Sequence, residues 1–166
     1  MTNAQWTVPH DPNHLSLPLN ERIAGGRGMW LIGRLLIGGL FLMSGTQKLM
    51  GLDQFAASLV KGGIPDNIAP MLAPIAAGSE TIGGLCIVLG LFTSWASLLM
   101  IAFTIVAALV SHRFWEFEGA AAQSQMAHFM KNVMLAGGLL QVVAFGAGVL
   151  SFDNRVAVRT GALRAA

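Results

Sequence analysis

Four long apolar stretches run along the chain, from about Met29 to Met50, Ala69 to Phe92, Ser94 to Ser111 and Ala127 to Leu150. The first two are each long enough to cross roughly 30 Å of hydrocarbon as helices rising 1.5 Å per residue, and the other two complete a set of four. The predicted fold is therefore all-α, a transmembrane four-helix bundle. The segment GLDQFAASLVKGGIPDN after the first helix places Phe55, Leu59 and Val60 on one face of a short helix. Asp53 is placed to cap it and Gly62-Gly63 to end it, and it is expected to lie in the membrane interface between helices one and two. Only Leu91 to Ser94 separates the second stretch from the third, which forces a tight antiparallel hairpin with Thr93 or Ser94 as the N-cap of the third helix. Pro70 suits the first turn of the second helix, whereas Pro74, one turn later, should bend it near its entry.

The flanks divide the chain into a polar N-terminal tail (residues 1–28), a transmembrane domain (29–150) and a basic C-terminal tail (151–166). The tail from Met1 to Gly28 lacks the basic start, apolar core and small-residue cleavage site of a secretory signal and is read as retained. An even number of crossings puts both termini on one side. Arg22, Arg27, Arg34, Arg155, Arg159 and Arg164 fall on that side, against Lys48, Lys61, Arg113 and Lys131 opposite. The bias favours cytoplasmic termini and a multi-pass protein of the cell (inner) membrane. Trp30 and Trp95 then mark the inner interface and Trp115 the outer one.

Composition strengthens this picture. In 166 residues, 54% are hydrophobic and 11% charged, and the mean hydropathy is +0.64. A soluble domain carries about twice that share of charge. The net charge of +2 does not imply a nucleic-acid partner, because the basic residues are scattered at the edges of apolar stretches. Cys86, the single cysteine, has no intrachain partner, so no dithiol relay exists within the chain. The pairs Gly38-Gly39, Gly83-Gly84 and Gly137-Gly138 read as places where helices approach closely.

Ionisable groups in lipid cost several kcal/mol unless paired or hydrated, so those inside the four stretches are the candidate site. Glu80 lies halfway along the second helix, and its neighbours at helical spacing include Ala73, Ala76, Ala77, Gly83 and Gly84. Such a face packs against another helix and turns Glu80 inward. Arg34, Gly38, Phe41, Gly45 and Lys48 form one stripe of the first helix, and either basic residue is a partner for Glu80 by snorkelling along the bundle axis. On the outer side His112, His128, Lys131, Asn132, Gln47 and Lys48 converge at one level. Apolar walls, donors at one end and a buried carboxylate deeper in describe a pocket suited to a quinone-like head group. Lys48, His112 or Lys131 would donate to its carbonyl oxygens and Glu80 would relay a proton.

Structural readings stand beside these. Lys48 and Lys131 are equally placed to snorkel to lipid head groups, Arg34 to anchor the inner interface, and Glu80 to fix packing through an interhelical hydrogen bond or ion pair. His112 and His128 sit at a rim without a second axial pair, and with Glu116 they match no recognised zinc spacing, so neither haem nor metal is expected.

The stretches RLLIGGLFLMSGTQKLMG (34–51), IAAGSETIGGLCIVLGLFT (75–93), SHRFWEF (111–117) and FMKNVMLAGGLLQVVAFG (129–146) together resemble the DoxX family of small membrane proteins. The likeness spans about Arg34 to Arg155. It implies a four-helix membrane fold and an association with quinone-linked respiratory chemistry, as part of an oxidase or of a thiosulfate:quinone oxidoreductase. Carried over by motif position, the implied site residues are Glu80 as the catalytic carboxylate and Arg34, Lys48, His112, Lys131 and Asn132 as ligand contacts. Two functions follow as expectations. One is an accessory or quinone-linked subunit of a membrane redox complex. The other is a scaffold that docks onto a larger membrane complex with no chemistry of its own. Expected partners are membrane lipids and either a larger membrane complex or further copies of the chain.

Overall fold

The computed structural model describes residues 27–160. The tail expected over residues 1–28 lies outside the described residues except for its last two, which already belong to the first helix. The elements are α1 (Arg27–Met50), α2 (Leu52–Lys61), α3 (Ala69–Leu89), α4 (Thr93–Ser111), a single 3-10 turn (Phe114–Glu116), α5 (Gly119–Phe145) and α6 (Phe152–Arg159). Four of them, α1, α3, α4 with the turn that follows it, and α5, are long and apolar enough to cross a membrane. The short α2 sits between α1 and α3, as expected. Its N-cap is Gly51, however, and Asp53 lies in its first turn without a capping hydrogen bond. Gly62 is its C-cap and Gly63 follows at φ +91, a backbone conformation that glycine adopts freely.

Two boundaries differ from the hydropathy reading. Helix α3, the second crossing, ends at Leu89 because Gly90 takes φ 70 and closes it in a left-handed cap. The last long helix starts at Gly119 because the polar segment before Ala127 is rich in Ala and Gln, which extend a helix without being apolar. Pro70 lies in the first turn of α3 and Pro74 one turn further in, as expected.

Helix α1 runs along α3, α4 runs along α5, and the α3–α4 hairpin joins the two pairs. The α1–α3 seam is close because glycines line it. A Cβ at Gly38 would meet the Val88 side chain at 2.9 Å, one at Gly84 would strike the Leu42 backbone, and one at Gly45 the Thr81 backbone. Small residues let helix backbones approach where lipid supplies no hydrophobic drive. Gly83 performs the same service for Met100 of α4, and Gly138 for Ile37, while Gly39 and Gly137 face open space. Both glycines of the middle pair thus serve packing, but one of each outer pair does not. Phe41, Ile87, Ala96, Met100 and Leu139 form the buried core, and α2 docks on the start of α3 through Leu59 against Ala69 and Ala73. Large apolar side chains such as Leu36, Ile82 and Met134 point outward, as faces in contact with acyl chains must.

The end of the bundle that carries both chain ends is closed by polar contacts. Arg34, only 3% exposed, donates from Nη1 to the Ala147 carbonyl and from Nη2 to the carbonyls of Leu150 (2.7 Å) and Val88 (3.4 Å). Trp30 Nε1 donates to the Gly146 carbonyl at 3.1 Å. The region 151–166, expected as a basic tail, contains α6, capped by Ser151 Oγ, which accepts from the Asn154 N–H at 3.1 Å. From α6 the Asp153 carboxylate reaches the α3–α4 hairpin and accepts from the Phe92 and Thr93 N–H groups, both at 2.8 Å. The N-cap of α4 is Phe92, and its function is supplied from another element, not by Thr93 or Ser94. Phe92 sits at φ 47, a conformation that costs a bulky residue about 1–3 kcal/mol, and the carboxylate holds it there.

Replacing Asp153 by Ala should lower stability by about 2–3 kcal/mol, because it frees two N–H groups at a helix N-terminus and leaves Phe92 strained without compensation. Thermal unfolding in detergent micelles, compared with the unaltered protein, measures this. Asp153→Asn should lose less, since its amide oxygen can still accept one of the two bonds.

Candidate functional site

At the opposite end the bundle opens into a cleft of about 1070 Å³, bounded by α1, α2, α3, α4 and α5. Its walls are apolar for most of their depth, with Phe41, Phe55, Leu72, Phe103, Val106 and Leu135 among them. The polar groups occupy two levels.

Deeper in lies Glu80, 3% exposed, where the small-residue face of α3 turns it into the bundle. Lys48, from the last turn of α1, donates from Nζ to Glu80 Oε2 in a direct ion pair. Of the two basic residues on the α1 stripe, it is therefore Lys48 that reaches the carboxylate. Its ammonium also sits 5.2 Å from the centre of the Phe55 ring and 5.7 Å from that of Phe103. The two π faces favour a cation there where little water can solvate it. Among the described residues nothing hydrogen-bonds to Glu80 Oε1. The Glu80 side chain is 4% exposed and the Lys48 side chain 29%, so the pair is sealed on the bundle side and open on the cleft side.

Nearer the mouth lie His112, Gln125, His128, Lys131 and Asn132. His112 Nδ1 is 3.0 Å from Gln125 Oε1, and its ring stacks on that of His128 with centroids 5.0 Å apart. The His112–Gln125 bond ties the C-cap of α4 to the first half of α5. Beside it, Phe114 and Trp115 of the 3-10 turn pack edge to face on Phe129 and fix the α4–α5 connection. Lys61, at the end of α2, and Arg113 also border the opening, and Arg113 pairs with Glu116 at 3.1 Å.

Of the residues singled out from the sequence, the structure gathers Glu80, Lys48, His112, Lys131 and Asn132 around this one cleft. Arg34 is not among them. It lies at the closed end, and its guanidinium is committed to three backbone carbonyls. The sequence places Arg34 in the inner half of α1, Lys48 near its outer end and Glu80 halfway along its own helix, so either basic side chain was within reach by snorkelling, and only the packing of the two helices decides between them. Sequence reasoning missed the flanking Phe55 and Phe103, Gln125, and Thr104, a buried hydroxyl on the cleft wall. A signal for Thr104 did exist, since Thr93, Ser97, Met100, Thr104 and Ala108 share one face of α4 at helical spacing.

Comparison with known proteins agrees with the architecture. The model of the DoxX family matches residues 29–113. The inner membrane protein YphA of Escherichia coli (strain K12) is 38% identical over 129 residues, which covers 75% of this chain and 88% of that protein. The inner membrane protein YqjF of the same organism is 28% identical over 124 residues, with the same coverage. No solved structure matches the chain.

The geometry of the ion pair sets its energetic signature. Lys48→Met should destabilise the fold by about 3 kcal/mol, because it strands a carboxylate in the bundle. The double change Lys48→Met with Glu80→Leu should recover most of that loss, since removing both charges also removes their desolvation cost. Unfolding midpoints of the single and double variants form the cycle that checks this.

Proposed function

We propose that this chain, which belongs to the DoxX family, is an inner-membrane subunit whose cleft binds a quinone-type head group in the service of a larger redox complex. The observation that carries the reading is the Lys48–Glu80 pair, charged, shielded from lipid and open toward an apolar-walled cleft. An ion pair needed only for packing would be satisfied on all sides. Here one carboxylate oxygen and part of an ammonium are left to face the cavity.

The parts suit a flat ring with carbonyl oxygens and an apolar tail. Phe55 and Phe103 offer aromatic faces, and aliphatic side chains line the rest of the cleft. Lys48, Lys131, His112 and Asn132 supply N–H donors, which an uncharged ring with acceptor oxygens requires. Glu80 holds the Lys48 ammonium in place and is the proton-linked carboxylate. When a ring oxygen gains negative charge, the Lys48 ammonium is placed to stabilise it by donating a hydrogen bond, and a proton passed from Lys48 to the ring is replaced from water at the mouth of the cleft, so that the Glu80 carboxylate keeps its counter-charge. The electrons come from a redox partner subunit, because the chain has no motif for a flavin, haem or metal carrier.

Placement in the inner membrane is supported by the names of both relatives. The termini are assigned to the cytoplasm, because in the sequence Arg22, Arg27, Arg155, Arg159 and Arg164 flank the first and last crossings on the side of the chain ends. The cleft then opens toward the outer leaflet.

Titration of the purified protein in lipid nanodiscs with a short-chain alkyl benzoquinone tests the reading. The unaltered chain should bind saturably, and Glu80→Gln should weaken binding about tenfold or more while the protein still folds, because the amide no longer anchors the ammonium. Full affinity in the Glu80→Gln variant would remove the carboxylate from the site. No saturable binding by the unaltered chain would leave the docking role, without a ligand, as the function.

A further inference from the structure

The floor of the cleft carries a polar group that the ion pair does not use. Thr104 is 2% exposed, lines the cleft, and its Oγ1 has no hydrogen-bond partner among the described residues. A threonine in a helix ordinarily returns its hydroxyl to a carbonyl one turn back, as Thr46 and Thr81 do here at 2.8 Å. Thr104 makes no such bond. A buried hydroxyl without a partner costs roughly as much as a lost hydrogen bond, and of the three such hydroxyls on α4, those of Thr93, Ser97 and Thr104, only that of Thr104 lines the cleft, where a ligand can satisfy it.

Its height in the bundle is set by the hairpin. Helices α3 and α4 are antiparallel, and Gly83 of α3 lies against the Met100 side chain of α4, where an added Cβ would come within 2.7 Å of the Met100 sulfur. Stepping away from that contact by one turn in each helix, toward the open end, leads to Glu80 on α3 and to Phe103 and Thr104 on α4. The position of the Lys48 ammonium, bonded to Glu80 and 5.7 Å from the Phe103 ring, places these residues at one level independently. Met100, fully buried, closes the bundle beneath them. Thr104 therefore lies at the level of the ion pair and lines the same cleft.

We infer that Thr104 is a binding and specificity-determining residue, whose hydroxyl donates to the innermost oxygen of the head group seated against the Lys48–Glu80 pair. This rests on the reading of the cleft as a quinone-type site and adds to it a depth and an orientation. The ring enters far enough for one oxygen to lie at the level of Glu80, with Phe55 and Phe103 beside it, while the opposite oxygen faces the donors at the mouth. The chemistry selects a head group with oxygens at both ends of the ring over an amphiphile with a polar group at one end alone. A ligand of the second kind would leave either Thr104 or the mouth unsatisfied.

The test compares variants in nanodiscs by unfolding midpoint without ligand and by titration with the same short-chain alkyl benzoquinone. Thr104→Val keeps the shape and removes the hydroxyl. Without ligand its midpoint should be equal to or higher than that of the unaltered chain, since an unsatisfied buried group is gone. Its affinity should fall about fivefold to tenfold, the worth of one hydrogen bond. Thr104→Ser, which keeps the hydroxyl, should bind within about twofold of the unaltered chain on the same scale. Ser97 supplies the control, because it is fully buried and without a partner on the same helix face but does not line the cleft. Ser97→Ala should leave affinity unchanged. Unchanged affinity in Thr104→Val, with the unaltered chain binding normally, would overturn this inference alone. So would a large drop in its ligand-free midpoint, which would mark a purely structural hydroxyl. Absence of binding by the unaltered chain would instead overturn the reading of the cleft.

Discussion

Within hydrocarbon a polar group has no solvent to turn to, so every charge carried into the membrane must find its partner in the protein. This constraint shapes both ends of the bundle. Arg34 spends its guanidinium on the carbonyls of Val88, Ala147 and Leu150, where α3 ends and where the chain leaves α5. Asp153 returns from α6 to take the first N–H groups of α4. Lys48 and Glu80 satisfy each other across α1 and α3. Each contact joins elements distant in sequence, so satisfying the charges and assembling the helices are one event.

The two ends use that constraint differently. At the closed end the Arg34 Nη atoms and the Asp153 carboxylate are bonded to backbone. Gly90 is required there both by its positive φ and because a Cβ would collide with the Arg34 guanidinium and with Ser151. Space is exhausted there, and of the polar groups Arg34 Nε and Thr93 Oγ1 are the buried atoms left without a partner. At the open end the helices diverge around a cavity, and capacity is left over in Glu80 Oε1, in the Lys48 ammonium and in the Thr104 hydroxyl. A bundle that is filled at one end and open at the other has room for a ligand. A rigid frame positions donors within the tolerance that a small head group demands.

The candidate site was legible to the extent that it depends on residues expensive to bury. Glu80 and Lys48 stand out because lipid leaves few reasons for a carboxylate or an amine, and the small-residue face around Glu80 gives its direction. His112, Lys131 and Asn132 were found together because a hairpin forces the ends of adjacent helices to one level. Arg34 was grouped with them by the family resemblance, and the packing of α1 puts it at the far end, bonded to backbone. Thr104 shares one face of α4 with Thr93 and Ser97, a spacing legible in the sequence, but that it alone of the three borders the cleft is a property of coordinates.

The hydropathy pattern by itself determined that four helices cross the membrane, that both described ends of the chain meet on one side, and that a short helix links the first two crossings. These follow from length and transfer energy, which are local sums over the chain. Helix boundaries were blurred where composition and conformation part company, as at Gly90, whose backbone stops a helix inside an apolar run, and at Gly119, where polar residues continue one. Tertiary structure decided the rest. It chose Lys48 over Arg34 as the partner of Glu80, made a supposed tail into the helix that caps α4, and set the depth of the cleft. Such choices depend on the distance between side chains on different helices, which no period along a single strand of sequence contains.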